Sequence, residues 1–323
     1  MHNPLQVLKH YWGYDGFRPG QAEVIDSILS GHDTLALMPT GGGKSITFQV
    51  PALANPGICL VVSPLVALMK DQVKNLQKRG ILSAFISSEM PHWEILQQLD
   101  NCILGDYKFL YISPERISSE LFQEKLKTLS RKVNLLVVDE AHCISQWGND
   151  FRRDYRLIAD IRDVIPHVQV IAVTASATAA VVADICEQLH FRKGYRIFKT
   201  SFERKNLSFV VRKTDNKLKE ICHILSAVPG SAVIYSRTRK GVEEYAGKLR
   251  AAGISAEYFH AGLDPVLKTE RQADWVKGFT RVLVATNAFG MGIDKGDVRV
   301  VIHTEFPDSM EAVSYTHLRA HET

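Results

Sequence analysis

The chain has 323 residues, of which 46% are hydrophobic and 23% are charged, and its formal net charge is +4. This composition is typical of a globular protein and excludes a disordered or fibrous chain. The length is sufficient for two domains. The mildly basic charge is compatible with a nucleic-acid partner but does not by itself predict one.

Neither a disulfide framework nor a membrane segment is indicated. The 5 cysteines are scattered, with no C-x-x-C pair and no spacing suited to zinc, which indicates reduced and mostly buried thiols. The amino terminus lacks the apolar core of a signal peptide, and no run approaches the about 18 apolar residues of a membrane span. We therefore expect a cytoplasmic protein without a membrane partner.

The first candidate binding residues in chain order are Tyr14, Arg18 and Gln21. A glutamine amide offers both a donor and an acceptor to an adenine edge, and an aromatic or guanidinium plane can stack on a base. Taken alone, the stretch is better explained by a surface turn around Pro19 and Gly20. Its position just before a glycine-rich loop favours base recognition.

That loop follows the short apolar run Thr34–Met38, which predicts a buried parallel strand. A glycine-rich backbone can turn successive N–H groups inward to form an anion cradle at a helix start. A lysine then supplies a charge for the β- and γ-phosphates, and a serine hydroxyl completes a Mg²⁺ shell. The alternative is a glycine-rich turn that contains a lysine by chance. The residues assigned to the triphosphate are Thr40, Gly41, Gly42, Gly43, Lys44 and Ser45.

Further short apolar segments alternate with helical patterns, which predicts an α/β fold with parallel sheets covered on both faces. The first series is Thr34–Met38, Cys59–Ser63, Phe109–Ser113, Leu135–Val138 and Val170–Thr174. The second series is Ala232–Ser236, Ala256–His260, Val282–Thr286 and Val298–His303. A polar passage near 203–217 separates them, so we expect doubly wound domains over 1–204 and 205–312, with ligands at the carboxyl ends of the strands.

Two adjacent carboxylates, Asp139 and Glu140, follow the predicted strand Leu135–Val138. In the sheet that carries a phosphate loop, Asp139 can hold Mg²⁺ while Glu140 acts as general base for the attacking water. The alternative is an acidic helix start favoured by the helix dipole. With Lys44, these carboxylates are the predicted catalytic residues, and Ser45 and Asp139 are the predicted metal ligands.

The motifs together resemble those of RecQ-type DNA helicases, DExH members of the second helicase superfamily. The resemblance covers about residues 5 to 312 and implies two RecA-like lobes, with ATP and Mg²⁺ as cofactors. It also implies ATP-driven unwinding with 3′-to-5′ translocation on single-stranded DNA, with single-stranded and partly duplex DNA as partners in repair and recombination. The motifs are F-R-P-G-Q, P-T-G-G-G-K-S, S-P-L-V-A-L-M-K-D-Q, D-E-A-H-C-I-S-Q-W-G, T-A-S-A-T and V-A-T-N-A-F-G-M-G-I-D-K.

By this resemblance, Ser145–Phe151 is an aromatic-rich loop that couples DNA contact to hydrolysis. Trp147 and Phe151 can stack on unpaired bases, and Arg152 can meet phosphates. The alternative is an aromatic pair packed in a core. The family usually has histidine and proline where this chain has Asn149 and Arg153.

In the second lobe, Thr286 matches a motif whose hydroxyl meets DNA phosphate, and Asp294 matches a position near the nucleotide cleft. Asp294 is also compatible with a simple turn. The family's arginine-rich run Q-E-x-G-R-A-G-R-D-G does not follow Pro307. Instead, Val313–Thr323 changes abruptly to a sequence that resembles a translated sequencing adapter. We therefore expect a non-native tail and an incomplete second lobe, and a nucleotide- and DNA-binding module without unwinding activity is the alternative to a helicase.

Overall fold

The computed structural model describes residues 3–39, 41–146, 151–175, 177–201, 207–287, 289 and 295–306. The chain divides into two units, Met1–Phe202 and Glu203–Thr323. Four predictions lie outside the described residues, namely those on Thr40, Trp147, Asp294 and Val313–Thr323. Within the described part of the chain, no helix is long and apolar enough to cross a membrane.

The first unit is built on a 7-stranded sheet in which every paired strand is parallel. Its strands are β1 (Thr34–Leu37), β2 (Ile58–Val62), β3 (Ser83–Ile86), β4 (Phe109–Ile112), β5 (Val133–Asp139), β6 (Gln169–Thr174) and β7 (Arg196–Lys199). They lie in the order β3-β4-β2-β5-β6-β1-β7. The crossovers this order requires are made by helices.

Helices cover both faces of this sheet. They are α1 (Pro4–Trp12), α2 (Gln21–Leu29), α3 (Lys44–Ala54), α4 (Val66–Gln77), α5 (His92–Leu104), α6 (Glu120–Leu129), α7 (Ile158–Val164) and α8 (Ala179–Gln188). Because side chains alternate along a strand, Leu35 and Leu37 join the core formed with α5 to α8, while Ala36 joins the core formed with α1 to α4. The sheet is therefore buried on both faces.

The second unit contains a smaller parallel sheet. Its 4 described strands are β8 (Ser231–Tyr235), β9 (Ala256–Phe259), β10 (Val282–Ala285) and β11 (Val298–His303), in the order β11-β8-β10-β9. Its described helices are α9 (Lys217–Ala227), α10 (Arg239–Ala251) and α11 (Pro265–Lys277). Val242, Ala246 and Leu249 of α10 are buried, as their helical spacing predicts.

The predicted α/β fold with parallel sheets is confirmed, and every predicted strand is present with small differences at its ends. Two strands were not predicted, β3 and β7, and both lie at an edge of the 7-stranded sheet. An edge strand can be solvated and carry charged residues, which removes the continuous apolar signal in β7 but does not account for the largely buried β3. In β7, the charged Arg196 and Lys199 flank a two-residue apolar centre.

One buried carboxylate ties together three parts of the first unit. Asp33, directly before β1, has a fully buried side chain that pairs with Arg162 of α7. It also pairs with Arg192, whose Nη2 lies 2.9 Å from Asp33 Oδ1, and it accepts a 3.0 Å bond from the backbone N–H of Val170 in β6. Burial alone would raise the pKa of Asp33, but the bonds from Arg192, Arg162 and Val170 outweigh burial and lower it.

We expect Asp33→Asn to lower the free energy of unfolding of this unit by about 3 kcal/mol or more, because it leaves a buried guanidinium without its counter-charge. Since the pKa of Asp33 is depressed in the folded state, its stabilisation is present above the unfolded-state pKa and is lost as the pH falls through the folded-state pKa. Urea denaturation should therefore show a difference between the two proteins that shrinks on acidification.

The control is Asp100→Asn in the same unit. Asp100 pairs with Lys125 at 2.7 Å, but its side chain is 42% exposed. Its removal should change the free energy of unfolding by less than about 1 kcal/mol. Equal losses in the two variants would contradict a special role for Asp33.

Candidate nucleotide site

The glycine-rich loop connects the end of β1 to the start of α3. Gly41 and Gly43 have φ of +77° and +74°, a left-handed conformation that side chains other than glycine rarely adopt. A Cβ atom on Gly42 would lie 2.9 Å from the carbonyl oxygen of Pro39. Lys44 then opens α3, so the first N–H groups of the helix face the loop. This geometry is that of an anion cradle at a helix N-terminus.

Two of the residues predicted to read adenine hold this loop in shape. Arg18 Nη1 donates to the carbonyl of Gly41 at 2.8 Å. Gln21 Nε2 donates to the carbonyls of Gly42 at 3.3 Å and Gly43 at 3.1 Å, while its Oε1 accepts from the backbone N–H of Arg18 at 2.9 Å. The polar groups of Arg18 and Gln21 are therefore bound to the phosphate loop, a contact that the sequence did not reveal.

A pocket of about 540 Å³ opens beside the loop and is lined by Tyr14, Arg18, Gln21 and Ser45 among others. Tyr14 is 52% exposed, so its ring is accessible to a stacking partner. The opposite wall comes from α4 and includes Gln72 and Asn75. The three predicted base-binding residues and two of the predicted phosphate-binding residues, Gly43 and Ser45, thus line one concave surface. A purine base there remains a prediction.

The two carboxylates stand at the carboxyl end of β5. The backbone N–H of Glu140 donates to Asp139 Oδ1 at 2.9 Å, and the Ser63 hydroxyl donates to Asp139 Oδ2 at 3.3 Å. Glu140 is buried and has the unusual left-handed φ of 47°. Burial and the neighbouring Glu140 raise the pKa of Asp139 to about 6, although the ammonium of Lys44 acts to lower it. The phosphate loop and the carboxylates therefore share one electrostatic site.

His142 connects the carboxylates to the neighbouring strand. Its Nδ1 lies 2.9 Å from the Thr174 hydroxyl at the end of β6 and 3.5 Å from Glu140 Oε2. The imidazole thus lies between the carboxylate that was predicted to activate water and the Thr174 hydroxyl. Sequence reasoning assigned no contact to His142 or Ser63. The available signal was that Ser63 and Thr174 each end a predicted strand.

The residues present fit a triphosphate with Mg²⁺. No group of 3 or more His, Cys, Asp or Glu side chains suited to holding a metal ion alone occurs among the residues the structure describes. Mg²⁺ is usually held by one or two carboxylates together with substrate phosphates, so a larger protein cage is not needed. Asp139 and the Ser45 hydroxyl are donors of the required kind.

The predicted DNA-binding residues are only partly described. Phe151 is half-buried, and the guanidinium of Arg156 lies 5.3 Å from its ring centroid. Arg152 Nη1 donates to the carbonyl of Pro64 at 3.3 Å, so this side chain also braces the loop after β2. In the second unit, Thr286 follows β10 and its N–H donates to the carbonyl of Phe259 at 3.1 Å. A contact of these residues with DNA stays a prediction.

Comparison with known proteins identifies the family. Residues 18–185 match the model of the DEAD/DEAH box helicase, and residues 216–321 match that of the helicase conserved C-terminal domain. The chain belongs to the DEAD/DEAH box helicase family. The curated relatives and solved structures described next agree with this assignment.

Curated relatives of this helicase-family chain include the ATP-dependent DNA helicase RecQ of Bacillus subtilis, which is 41% identical over 97% of the chain and 53% of the relative. RecQ of Pasteurella multocida is 39% identical over 95% of the chain and 48% of the relative. The chain therefore spans about half the length of these relatives. Its resemblance to RecQ-type helicases, inferred from the motifs, is confirmed.

Solved helicase structures share the fold. The helicase Lhr of Mycobacterium smegmatis, bound to ssDNA and AMP-PNP, has a TM-score of 0.74 at 19% identity, covering 99% of this chain and 46% of that one. The helicase MrfA, bound to DNA and AMPPNP, has a TM-score of 0.78 at 16% identity, covering 99% and 48%. At this level of identity the likeness establishes that both units are RecA-like lobes.

Replacing Lys44 by alanine should weaken ATP binding by about tenfold to a hundredfold, because a charge-assisted bond to the phosphates is lost. Isothermal titration calorimetry measures the affinity, and circular dichroism checks that the fold is kept. Lys127→Ala removes an exposed ammonium from α6 and should leave the affinity unchanged. An unaltered ATP affinity in Lys44→Ala would contradict the assignment of the phosphate loop.

Proposed function

We propose that this chain forms the ATP-driven motor of a RecQ-type DNA helicase that translocates 3′ to 5′ on single-stranded DNA and opens adjoining duplex. The observation that carries the proposal is the convergence of Lys44, Asp139 and Glu140 at one edge of one sheet, close enough for Lys44 to affect the pKa of Asp139. Its similarity to ATP-dependent DNA helicases supports ATP and DNA as its substrates.

In this proposal the phosphate loop binds ATP and the carboxylates promote its hydrolysis. The N–H groups of Gly41–Ser45 and the ammonium of Lys44 receive the phosphates. Asp139 and the Ser45 hydroxyl would hold Mg²⁺, which supplies positive charge that stabilises the transferring phosphoryl group. Glu140 takes the proton of the attacking water, and Nδ1 of His142 lies 3.5 Å from its carboxylate.

Single-stranded DNA is the proposed polymer ligand. Trp147 and Phe151 would stack on successive unpaired bases, which requires no particular sequence. Arg152 and Thr286 would contact the phosphate backbone, where charge and hydrogen bonding set affinity rather than specificity. The proposed setting is the bacterial cytoplasm, with activity on nucleoid DNA in repair and recombination.

A second candidate is a nucleotide- and DNA-binding module that does not unwind. This candidate rests on the expectation that Val313–Thr323 stands in place of the family's arginine-rich run. An arginine that reaches the γ-phosphate contributes about 10³ to 10⁵ in turnover in related phosphoryl-transfer sites. DNA-stimulated ATP hydrolysis distinguishes the two candidates, because the module would bind both ligands without stimulation.

Glu140→Gln tests the proposed chemistry. Glutamine keeps the shape of the side chain but cannot accept the proton of water, so turnover should fall by about 10² to 10⁴ while ATP affinity is kept. Steady-state phosphate release and equilibrium ATP binding provide the two measurements. The exposed Glu124→Gln on α6 should match the wild type in both. Near-normal turnover in Glu140→Gln would mean that the general base is another group.

A further inference from the structure

A fully buried tyrosine hydroxyl contacts the backbone between the two carboxylates. Tyr155 lies in the short 3-10 helix Arg153–Leu157, and its side chain is 0% exposed. Its hydroxyl donates to the backbone carbonyl of Asp139 at 2.9 Å. Burial raises the pKa of Tyr155 well above its ordinary value, so the hydroxyl keeps its proton and remains a donor.

The carbonyl that accepts this bond belongs to the peptide unit joining Asp139 to Glu140. The N–H of the same unit donates to Asp139 Oδ1 at 2.9 Å. A peptide unit is planar, so its carbonyl and N–H groups reorient together. Any rotation that turned the carbonyl away from Tyr155 would also turn the N–H away from the Asp139 carboxylate.

The same peptide unit leads into a strained residue. Glu140 has φ of 47° and ψ of 47°, and a residue other than glycine adopts this conformation only where its surroundings enforce it. The 3-10 helix Ala141–Ile144 begins immediately afterwards, with the N–H of Cys143 donating to the carbonyl of Glu140 at 2.9 Å. Tyr155 therefore braces the strained turn on the side of the strand, and the 3-10 helix braces it on the other.

The tyrosine is anchored to the segment that follows the aromatic-rich loop. Its N–H donates to the carbonyl of Arg152 at 3.1 Å, and the N–H of Arg152 donates to the carbonyl of Cys143 at 2.8 Å. The hydroxyl and the backbone of Tyr155 thus connect both ends of the turn that carries the carboxylates.

We propose that Tyr155 is a positioning residue whose hydroxyl fixes the Asp139–Glu140 peptide and so directs the Asp139 carboxylate toward Mg²⁺ on the bound triphosphate. This inference rests on the proposed function of the site. Removal of the Tyr155 hydroxyl should therefore reduce the gain in ATP affinity that Mg²⁺ provides. It should not change the affinity of the loop for the phosphates in the absence of Mg²⁺.

The test is Tyr155→Phe, which removes only the hydroxyl. Affinity for a non-hydrolysable ATP analogue is measured by calorimetry on the full chain, with Mg²⁺ and with EDTA. The ratio of the two affinities should fall about fivefold, the effect of one hydrogen bond, while the affinity in EDTA stays within about twofold of the wild type. An unchanged ratio, or an equal fall under both conditions, would overturn the proposal.

Tyr235→Phe is the matched control. Tyr235 is also buried, and its hydroxyl donates to a backbone carbonyl, that of Phe289, at 3.2 Å, but it belongs to the second unit. Removal of the Tyr235 hydroxyl should leave the ratio of affinities in Mg²⁺ and EDTA unchanged, although both variants lose a buried hydrogen bond. A matching fall of the ratio in both variants would indicate a general loss of stability and would count against Tyr155.

Two further outcomes are informative. If Tyr155→Phe does not fold, carbon-13 labelling of Cζ in Tyr155 alone reports the hydrogen bond in the wild-type chain. Addition of Mg²⁺ to the analogue-bound protein should then change the chemical shift of this resonance. An unchanged chemical shift would overturn the proposal. If the wild type binds no analogue, the proposed function fails as well. If the wild type binds the analogue and Tyr155→Phe has an unchanged ratio of affinities in Mg²⁺ and EDTA, only the inference about Tyr155 fails.

Discussion

Parallel pairing of β1, β6 and β5 brings the chemical groups of the first unit together. In this pairing Leu37 lies opposite Thr174, and Asp139 lies opposite Val173. Because parallel strands run in one direction, their carboxyl ends meet at one edge of the sheet, where α/β proteins bind ligands. A shift of one residue in either register would turn alternate side chains to the wrong face. The buried apolar faces of these strands therefore determine where the polar site lies.

The charge of the Asp139 carboxylate depends on the groups that the strand pairing brings near it. Burial, and after it the neighbouring Glu140, raises the pKa of Asp139. The nearby Lys44 acts in the opposite direction, and a divalent cation would do so more strongly. If Asp139 holds Mg²⁺ as proposed, binding of the cation would release a proton from any Asp139 carboxyl that is still protonated. The environment that raises the pKa of Asp139 thus also makes its protonation sensitive to a nearby positive charge.

Sequence patterns predicted the interior of the fold better than its edges. Interior strands such as Leu135–Val138 are continuous apolar runs and could be predicted directly. In contrast, β7 is mostly exposed and has charged residues at both ends, so its sequence lacks a continuous apolar pattern. The phosphate loop and the carboxylates could be predicted because their chemistry requires particular residue types in short spacing. The bonds from Gln21 and Tyr155 could not, because they join residues distant in sequence through backbone carbonyls, which every residue type offers.

The Gln21 amide is hydrogen-bonded to the phosphate loop and is also predicted to contact the base. The first set of bonds limits how the amide could make the second. Its N–H groups are bound to the carbonyls of Gly42 and Gly43, so only Oε1 keeps a free lone pair. That oxygen can accept from the exocyclic amino group of adenine, but it would face the exocyclic oxygen of guanine, another acceptor. If a purine base binds here as predicted, this single contact would favour adenine over guanine. A second bond, to N7, would require the Gln21 amide to leave a glycine carbonyl, so contact with both purine atoms would change the backbone of the proposed phosphate loop.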